Sequence, residues 1–236
     1  MTLLTVVQDV CARVGVAAPI ALIPTINSNR TARELLACAN EMAQRIAYDT
    51  REWQAMKKSV TYTGNGVTTA FNLPADYKRM LLTTSVWRST SAMQPMRYIA
   101  DTDEWLQRRA ANWSDAWGEW TLLGNQILIW PAMGVGTTAR FSYLDKNCVA
   151  LNGGGYANTF LNDADVFRLD ERILKLGMIF DWKQSKGSPY AEDMGTWSDA
   201  MALAMGADKP MPIMIDRAPI SAHARGIAYP FALPTP

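Results

Sequence analysis

The chain opens on a helical pattern. Leu3, Val6, Val7, Val10 and Val14 recur at the spacing that lines one helix face, with Thr2 placed to cap the helix and Gly15 to stop it. A loop holding Pro19 and Pro24 follows. The spacing then predicts a long amphipathic helix over about 28–55, capped by Ser28 and running into Trp53. Ala32, Leu35, Leu36, Ala39, Met42, Ala43 and Ile46 form its apolar stripe, and Arg33, Glu34, Glu41, Gln44 and Arg45 face the other way.

Near residue 58 the period changes from that of a helix to the two-residue alternation of strands. SVTYT (59–63) and VTTAFNL (67–73), joined by Gly64-Asn65-Gly66, read as a hairpin. LLTTSVWR (81–88) and MQPMRYI (93–99) read as further strands. A short helix follows at about 102–111, with Asp101 or Thr102 as cap and Glu104 in its first turn. EWTLL (119–123), QILIW (126–130) and TTARFSYLD (137–145), with turns at Gly124-Asn125 and 131–136, predict a meander. Residues 147–165 read as a loop in which Gly153-Gly154-Gly155 is a flexible hinge.

Helical period returns at about 168–185, where Leu169, Ile173, Leu176, Gly177 and Phe180 form a stripe. Asp170 and Glu171 open it, Lys183 and Lys186 close it, and Gly187 ends it, as the helix dipole and left-handed C-caps favour. Ser188 and Pro189 then suit the cap and first position of another helix, running to about 205. So short a turn makes the two helices antiparallel neighbours, and Trp53, Phe180, Trp182, Tyr190 and Trp197 are the aromatic residues expected to pack the helices. From 207 to 236 six prolines rule out helix and central strand. Met211, Ile213, Met214, Ile215, Ile227, Tyr229, Phe231 and Leu233 make that stretch too apolar for a pure spacer. It reads as an extended arm docked on a partner or wrapped on its own domain.

The expected fold class is therefore α+β. An α-helical bundle of two N-terminal and two C-terminal helices (1–57 and 166–206) carries an inserted antiparallel β module (58–150) and an extended Pro-rich C-terminal arm (207–236).

Composition narrows the function. With 236 residues, 49% of them hydrophobic and 19% charged, the chain buries a sizeable core. A net charge of +1 lacks the basic excess of a protein built to hold nucleic acid. The first residues meet Asp9 early and have no basic n-region, and no apolar run approaches the roughly 20 residues a bilayer requires, so a soluble protein made in a cytoplasm is expected, with no membrane partner. Cys11, Cys38 and Cys148 form no CxxC pair and read as small buried residues.

Candidate chemistry is thin. The single histidine, His223, lies in the arm, which leaves no His-based triad and no two-His metal site elsewhere. There is no GxxxxGK[ST]. Asp103, Glu104, Asp115 and Glu119 offer a pair of carboxylates for glycoside hydrolysis only as any acid-rich chain does. No enzyme, cofactor or metal is expected. Asp181, Lys183, Lys186, Glu192 and Asp193 crowd the last helix turn as a solvated or subunit-facing charged end. Nine tryptophans are many, and Trp87, Trp105, Trp113, Trp117, Trp120 and Trp130 fall in the β module. Core filling, sugar stacking and protein contact all use indole; Trp113 and Trp117, in a loop, are the expected exposed, partner-facing pair.

The run DERILKLGMIFDWKQSKGSPYAEDM (170–194) resembles the last helix pair of the head-to-tail connector (neck) adaptor proteins of tailed phages. ANEMAQRIAYDTREWQ (39–54), FNLPADYKRM (71–80), DEWLQRR (103–109) and GNQILIWPAMGVGTTARFSY (124–143) agree in order, so the similarity runs along about 1–206. The resemblance implies a structural virion protein of the neck, assembled in the host cytoplasm. It implies a ring of twelve subunits below the portal that extends the DNA channel and offers a platform to tail-nozzle or other tail proteins. Double-stranded DNA would pass through the lumen without specific binding, which a near-zero net charge suits. The arm would reach the portal protein, with Met211, Ile213, Ile215, Arg217, Arg225, Tyr229 and Phe231 as its contact residues. The alternatives are a Trp-rich carbohydrate-binding or wall-degrading virion module, and a neighbouring tail-nozzle or head-completion protein.

Overall fold

A computed structural model describes residues 1–90 and 93–208. Met211, Ile213, Ile215, Arg217, Arg225, Tyr229 and Phe231 lie outside the described residues, as does His223. Among the described residues the fold is α+β, with five α-helices and three small sheets.

Helix α1 (Leu3–Val14) forms where its pattern predicts. The Thr2 hydroxyl accepts from the Thr5 amide, and Gly15 at φ 73° takes the left-handed stop. Helix α2 (Arg30–Gln44) departs from expectation at both ends. Its cap is Asn29, whose side-chain oxygen accepts from the Thr31 and Ala32 amides, whereas the Ser28 hydroxyl turns back to the Thr25 carbonyl. Its last turn widens to a π-helix over Arg45–Asp49 and stops there, short of 55. The Ile46 carbonyl is taken by the Thr50 hydroxyl at 2.8 Å and by the Trp53 indole N–H at 2.7 Å. A terminal carbonyl satisfied by side chains needs no further helix.

The insertion contains β1 (Lys57–Thr63), β2 (Ala70–Asn72), β3 (Tyr77–Met80), β4 (Trp87–Arg88), β5 (Arg97–Tyr98), α3 (Thr102–Ala110), β6 (Glu119–Leu123), β7 (Gln126–Trp130) and β8 (Thr138–Asp145). The expected 59–73 hairpin does not form. β1 pairs antiparallel with β8 along its whole length, and β2 pairs with β7. Gly64-Asn65-Gly66 is a crossing point between sheets. The Gly64 amide donates to Thr137 and that of Gly66 to Met133, while the Asn65 side chain accepts from the Val67 and Thr68 amides. A Cβ on Gly64 would stand 2.4 Å from that of Met133, so only glycine permits the crossing. The expected meander is likewise half present. β6 and β7 form the hairpin, but β8 joins the other sheet, beside β1, β3 and β4. The two sheets are β2-β7-β6-β5 and β1-β8-β3 with β4 on β8, and their strands pair antiparallel except β5 with β6. Between them lies a core of Val86, Met96, Trp120, Ile127, Ile129 and Phe141.

Residues 147–165 are not a loop. β9 (Val149–Ala150), β10 (Tyr156–Ala157) and β11 (Val166–Phe167) form a small sheet, and Gly153–Gly155 is a tight turn between two of its strands, closed by amides on the Leu151 and Gly155 carbonyls. Two carboxylates organise the rest. Buried Asp165 accepts from the Asn152, Leu161 and Asn162 amides, and Asp163 from those of Leu22 and Ile23.

Helix α4 (Glu171–Ser185), capped by Asp170, packs against α1, α2 and the last helix, α5 (Ala191–Asp208). Burial on three sides explains its continuous run Ile173, Leu174, Gly177–Phe180 and Trp182. α5 does not start from the expected Ser188 cap and Pro189 first position: the Met194 amide donates to the Tyr190 carbonyl, so Tyr190 takes the cap position and the helix runs from Ala191 to Asp208.

The β module joins the helices through the Arg79–Glu52 pair at 2.7 Å and through a charge network centred on a buried carboxylate. Asp145, at the end of β8, is fully buried and accepts from Arg168 at 2.7 Å and Lys58 at 2.8 Å. Lys58 also binds Asp76, which accepts from the Tyr143 hydroxyl; Arg168 reaches the Asn147 and Ala55 carbonyls.

Candidate functional site

No group of three metal-ligating side chains occurs among the described residues, and no helix among them is long and apolar enough to cross a membrane. All three cysteines are buried and free, and burial pushes each thiol above its ordinary value, which keeps it protonated and poorly nucleophilic. What the fold does build is a tryptophan and arginine cluster at one end of the β module.

Helix α3 supplies its base. Asp101 caps the helix by accepting from the Asp103 amide. Asn112, at φ 51°, turns the chain out of it, a conformation asparagine tolerates. Trp105, Arg108 and Arg109 thereby meet the start of β6. Glu119 is fully buried there. Its carboxylate accepts from Arg108, from Arg109 and, at 3.1 Å, from the Asp115 amide. A buried carboxylate persists only with this degree of pairing. Arg108 also binds Glu104 at 2.8 Å.

Indole faces complete the arrangement. The Arg109 guanidinium lies between Trp105 and Trp130, 4.4 and 4.7 Å from the two ring centroids. Arg108 lies 4.3 Å from the Trp113 centroid. Cation–π contacts of this kind are worth about 0.5–2 kcal/mol each. Gly118, at φ 87°, passes so close to Trp130 that a Cβ would stand 3.3 Å from its carbonyl oxygen.

The sequence expectations divide accordingly. Trp113 is 55% exposed and Trp117 39%, and Trp87, not singled out from its pattern, is 44% exposed. Trp105 and Trp120 are buried. One face of Trp113 is covered by Arg108. Among the helix residues, Trp53 and Trp182 are buried, and the rings of Phe180 and Trp197 pack tilted with centroids 5.0 Å apart. Tyr190 departs from this set. It precedes the first helical residue of α5 and is 36% exposed. The charged helix turn resolves into pairs, Lys183 with Asp193 at 2.5 Å and Lys186 with Glu34 at 2.5 Å. The arginine partners of the tryptophans had no sequence signal, because the rings come from α3, the loop after it and β7.

A charge-balanced surface bearing the exposed indoles Trp113 and Trp117 suits protein contact, since Trp and Arg are enriched where partners dock. No curated protein matches the chain. The sequence model of the SU10 adaptor protein family matches residues 1–219, and the chain belongs to that family of phage structural adaptors.

Proposed function

We propose that the chain is the subunit of a ring of twelve copies seated below the portal, extending the DNA channel and carrying the attachment platform for the tail. The family match along 1–219 carries this reading. In it the helices build the ring wall. The β module turns Trp87, Trp113 and Trp117 toward tail-nozzle or other tail proteins. The C-terminal segment reaches the portal through Met211, Ile213, Ile215, Arg217, Arg225, Tyr229 and Phe231. DNA is conducted without specific binding, as the net charge of +1 suits.

Negative-stain imaging of the protein mixed with portal rings from the same virus tests it. The expected result is an added ring on one end of each portal. Portals left bare, with binding to isolated tail components instead, would replace this reading with that of a tail-nozzle or head-completion protein.

A further inference from the structure

Strand β1 ends its sheet with one side bare. β8 is its only partner among the described residues, and the two pair from Lys57 to Thr63 without a bulge. The Gly64 amide bonds the Thr137 carbonyl, which fixes the alternation of the ladder. Lys58, Val60 and Tyr62 turn their backbone to β8, and the amides and carbonyls of Ser59, Thr61 and Thr63 point away from it. These three residues are exposed, and no backbone bond reaches them from elsewhere among the described residues. Proteins block such an edge with proline, a bulge or a charge. From Ser59 to Thr63 this edge has none of them. The core behind it is covered only in part. Val60, Tyr62 and Phe71 are half-buried there, with the rings of Tyr62 and Phe71 5.1 Å apart.

The outer face of the same sheet carries a cation without a counter-charge. Thr61 lies opposite Arg140, and Arg140 opposite Trp87, so the three form one row across β1, β8 and β4. Arg140 is exposed and has no ion pair among the described residues, and Trp87 is exposed beside it. Ser59, Thr63, Thr138 and Ser142 surround the row with hydroxyls, and none of these strand positions holds a carboxylate. A free edge needs an extended chain, and an unpaired guanidinium needs an acid.

We propose that β1 takes an added strand from a tail protein. The strand is an extended, proline-free, acidic segment. Its backbone pairs with Ser59, Thr61 and Thr63, its apolar side chains cover Tyr62 and Phe71, and its carboxylate meets Arg140. This inference rests on the reading that the β module faces the tail, and names the contact. The chain's own residues 209–236 suit the site less, with three Lys or Arg, one acid and six prolines. Pairing with β1 of a second copy would be two-fold and stop at two, which closes no ring.

Hydrogen exchange resolved to single residues tests it. In the free chain, and in rings on portals without tail, the Thr61 amide is expected to exchange as fast as an open strand edge. Tail components purified from the same virus are expected to slow it at least tenfold. Binding without slowing would overturn the added strand and leave the adaptor reading intact. Tail components that fail to bind wild-type rings would remove the tail-platform reading and this contact with it. Slow exchange already in the free chain would overturn the proposal, and its loss in a chain ending at Asp208 would give the edge to residues 209–236. Slow exchange on portals without tail would also overturn it and give the edge to another copy or to the portal.

Substitutions read the same contact a second way. Thr61→Val keeps the amide, and Thr61→Pro removes it at an outward position that edge strands tolerate. Arg140→Glu changes an exposed residue, so it keeps the wild-type melting temperature. Tail uptake is expected to fall at least tenfold in Thr61→Pro and Arg140→Glu and to hold in Thr61→Val, with portal decoration unchanged in all three. Wild-type uptake by Arg140→Glu, or equal uptake by Thr61→Val and Thr61→Pro, would overturn the contact. Should Thr61→Pro melt lower than wild type, Arg140→Glu and the exchange measurement decide.

Discussion

The indole nitrogen of Trp197 stands 3.0 Å from where a Cβ on Gly177 would be, and the methyl of Met42 stands 2.5 Å from it. Gly177 is thus the point where α2 and α5 both close on α4. Gly177→Ala would gain about 1 kcal/mol of helix propensity in isolation. Here the added methyl has to displace an indole already packed against Phe180 and a fully buried methionine, and overpacking costs about 1–3 kcal/mol. The net expectation is destabilisation by about 1 kcal/mol, read as a lower melting temperature. An unchanged or raised melting temperature would show that α5 moves freely on α4.

Arg168 is the residue on which the joint between helices and β module turns. Arg168→Met keeps the length of the side chain but leaves Asp145 buried with Lys58 as its one remaining cation. Removing a partner from a buried pair costs about 3–5 kcal/mol, and the surviving Lys58 places the expectation near the lower bound. Urea unfolding monitored by tryptophan fluorescence measures it. A loss below about 1 kcal/mol would mean that the network is dispensable.

The helices were the legible part of this chain. In α1 and α4 the apolar period and the stop are local, and Thr2, Gly15 and Gly187 sit where local rules put them; Asp170, expected within the first turn of α4, caps it instead. Strand positions were legible in part: β1, β6, β7 and β8 fall where the alternation puts them, but only Trp87–Arg88 and Arg97–Tyr98 of the expected 81–88 and 93–99 strands form ladder, β3 was not expected, and the partners were not legible. β1 and β2 alternate correctly and are joined by a Gly-Asn-Gly that satisfies every local hairpin rule. What decides the pairing is the distant β8, with Phe141 opposite Val60. The sheet of residues 149–167 was invisible because Asp163 and Asp165 hold it through distant backbone amides, without any periodicity. At the candidate site the tryptophans could be counted, but the Arg109 sandwich unites Trp105 and Trp130 only once the β6–β7 hairpin has folded against α3.

Acid should loosen the same joint in a defined window. Burial raises the Asp76 carboxyl, but bonds from Lys58 and the Tyr143 hydroxyl outweigh it and leave its pKa below the ordinary value. Glu52 is also lowered, because the Leu82 amide and Arg79 outweigh its burial. A carboxylate with a depressed folded pKa contributes stability that is whole above its unfolded value, about 4, and is lost as pH falls through the folded value. Urea midpoints should therefore hold down to about pH 5 and decline below about pH 4. In Asp76→Asn the decline should be shallower. An identical slope in that variant would remove Asp76 from the cause.

Trp113→Ala and Trp117→Ala should separate stability from contact. Both rings are exposed, and surface substitutions usually shift stability by no more than about 0.5 kcal/mol, with the Arg108 contact adding about as much again for Trp113. If this end of the β module meets the tail, the double variant should assemble on portals normally and fail to take up tail components. Normal tail uptake would move the tail-facing surface elsewhere.

Truncation tests the division of labour along the chain, provided the cut respects α5. Asp208 accepts from the Gln54 amide and pairs with Arg51, so it belongs to the helices even though proline-rich sequence begins just beyond it. A chain ending at Asp208 keeps that contact and every core residue described, and it should melt within about 1 °C of the full chain, since a change of 1 kcal/mol would already move the midpoint by about 2–4 °C. A chain ending at Ala207 loses a charge-assisted bond and should melt detectably lower. If the segment from 209 onward carries the portal contact, the longer truncation should also lose portal capture while remaining folded. Retained capture would assign the portal contact to the helices or the β module. A collapse in melting temperature on removing 209–236 would make that segment part of the core and leave no arm to reach the portal.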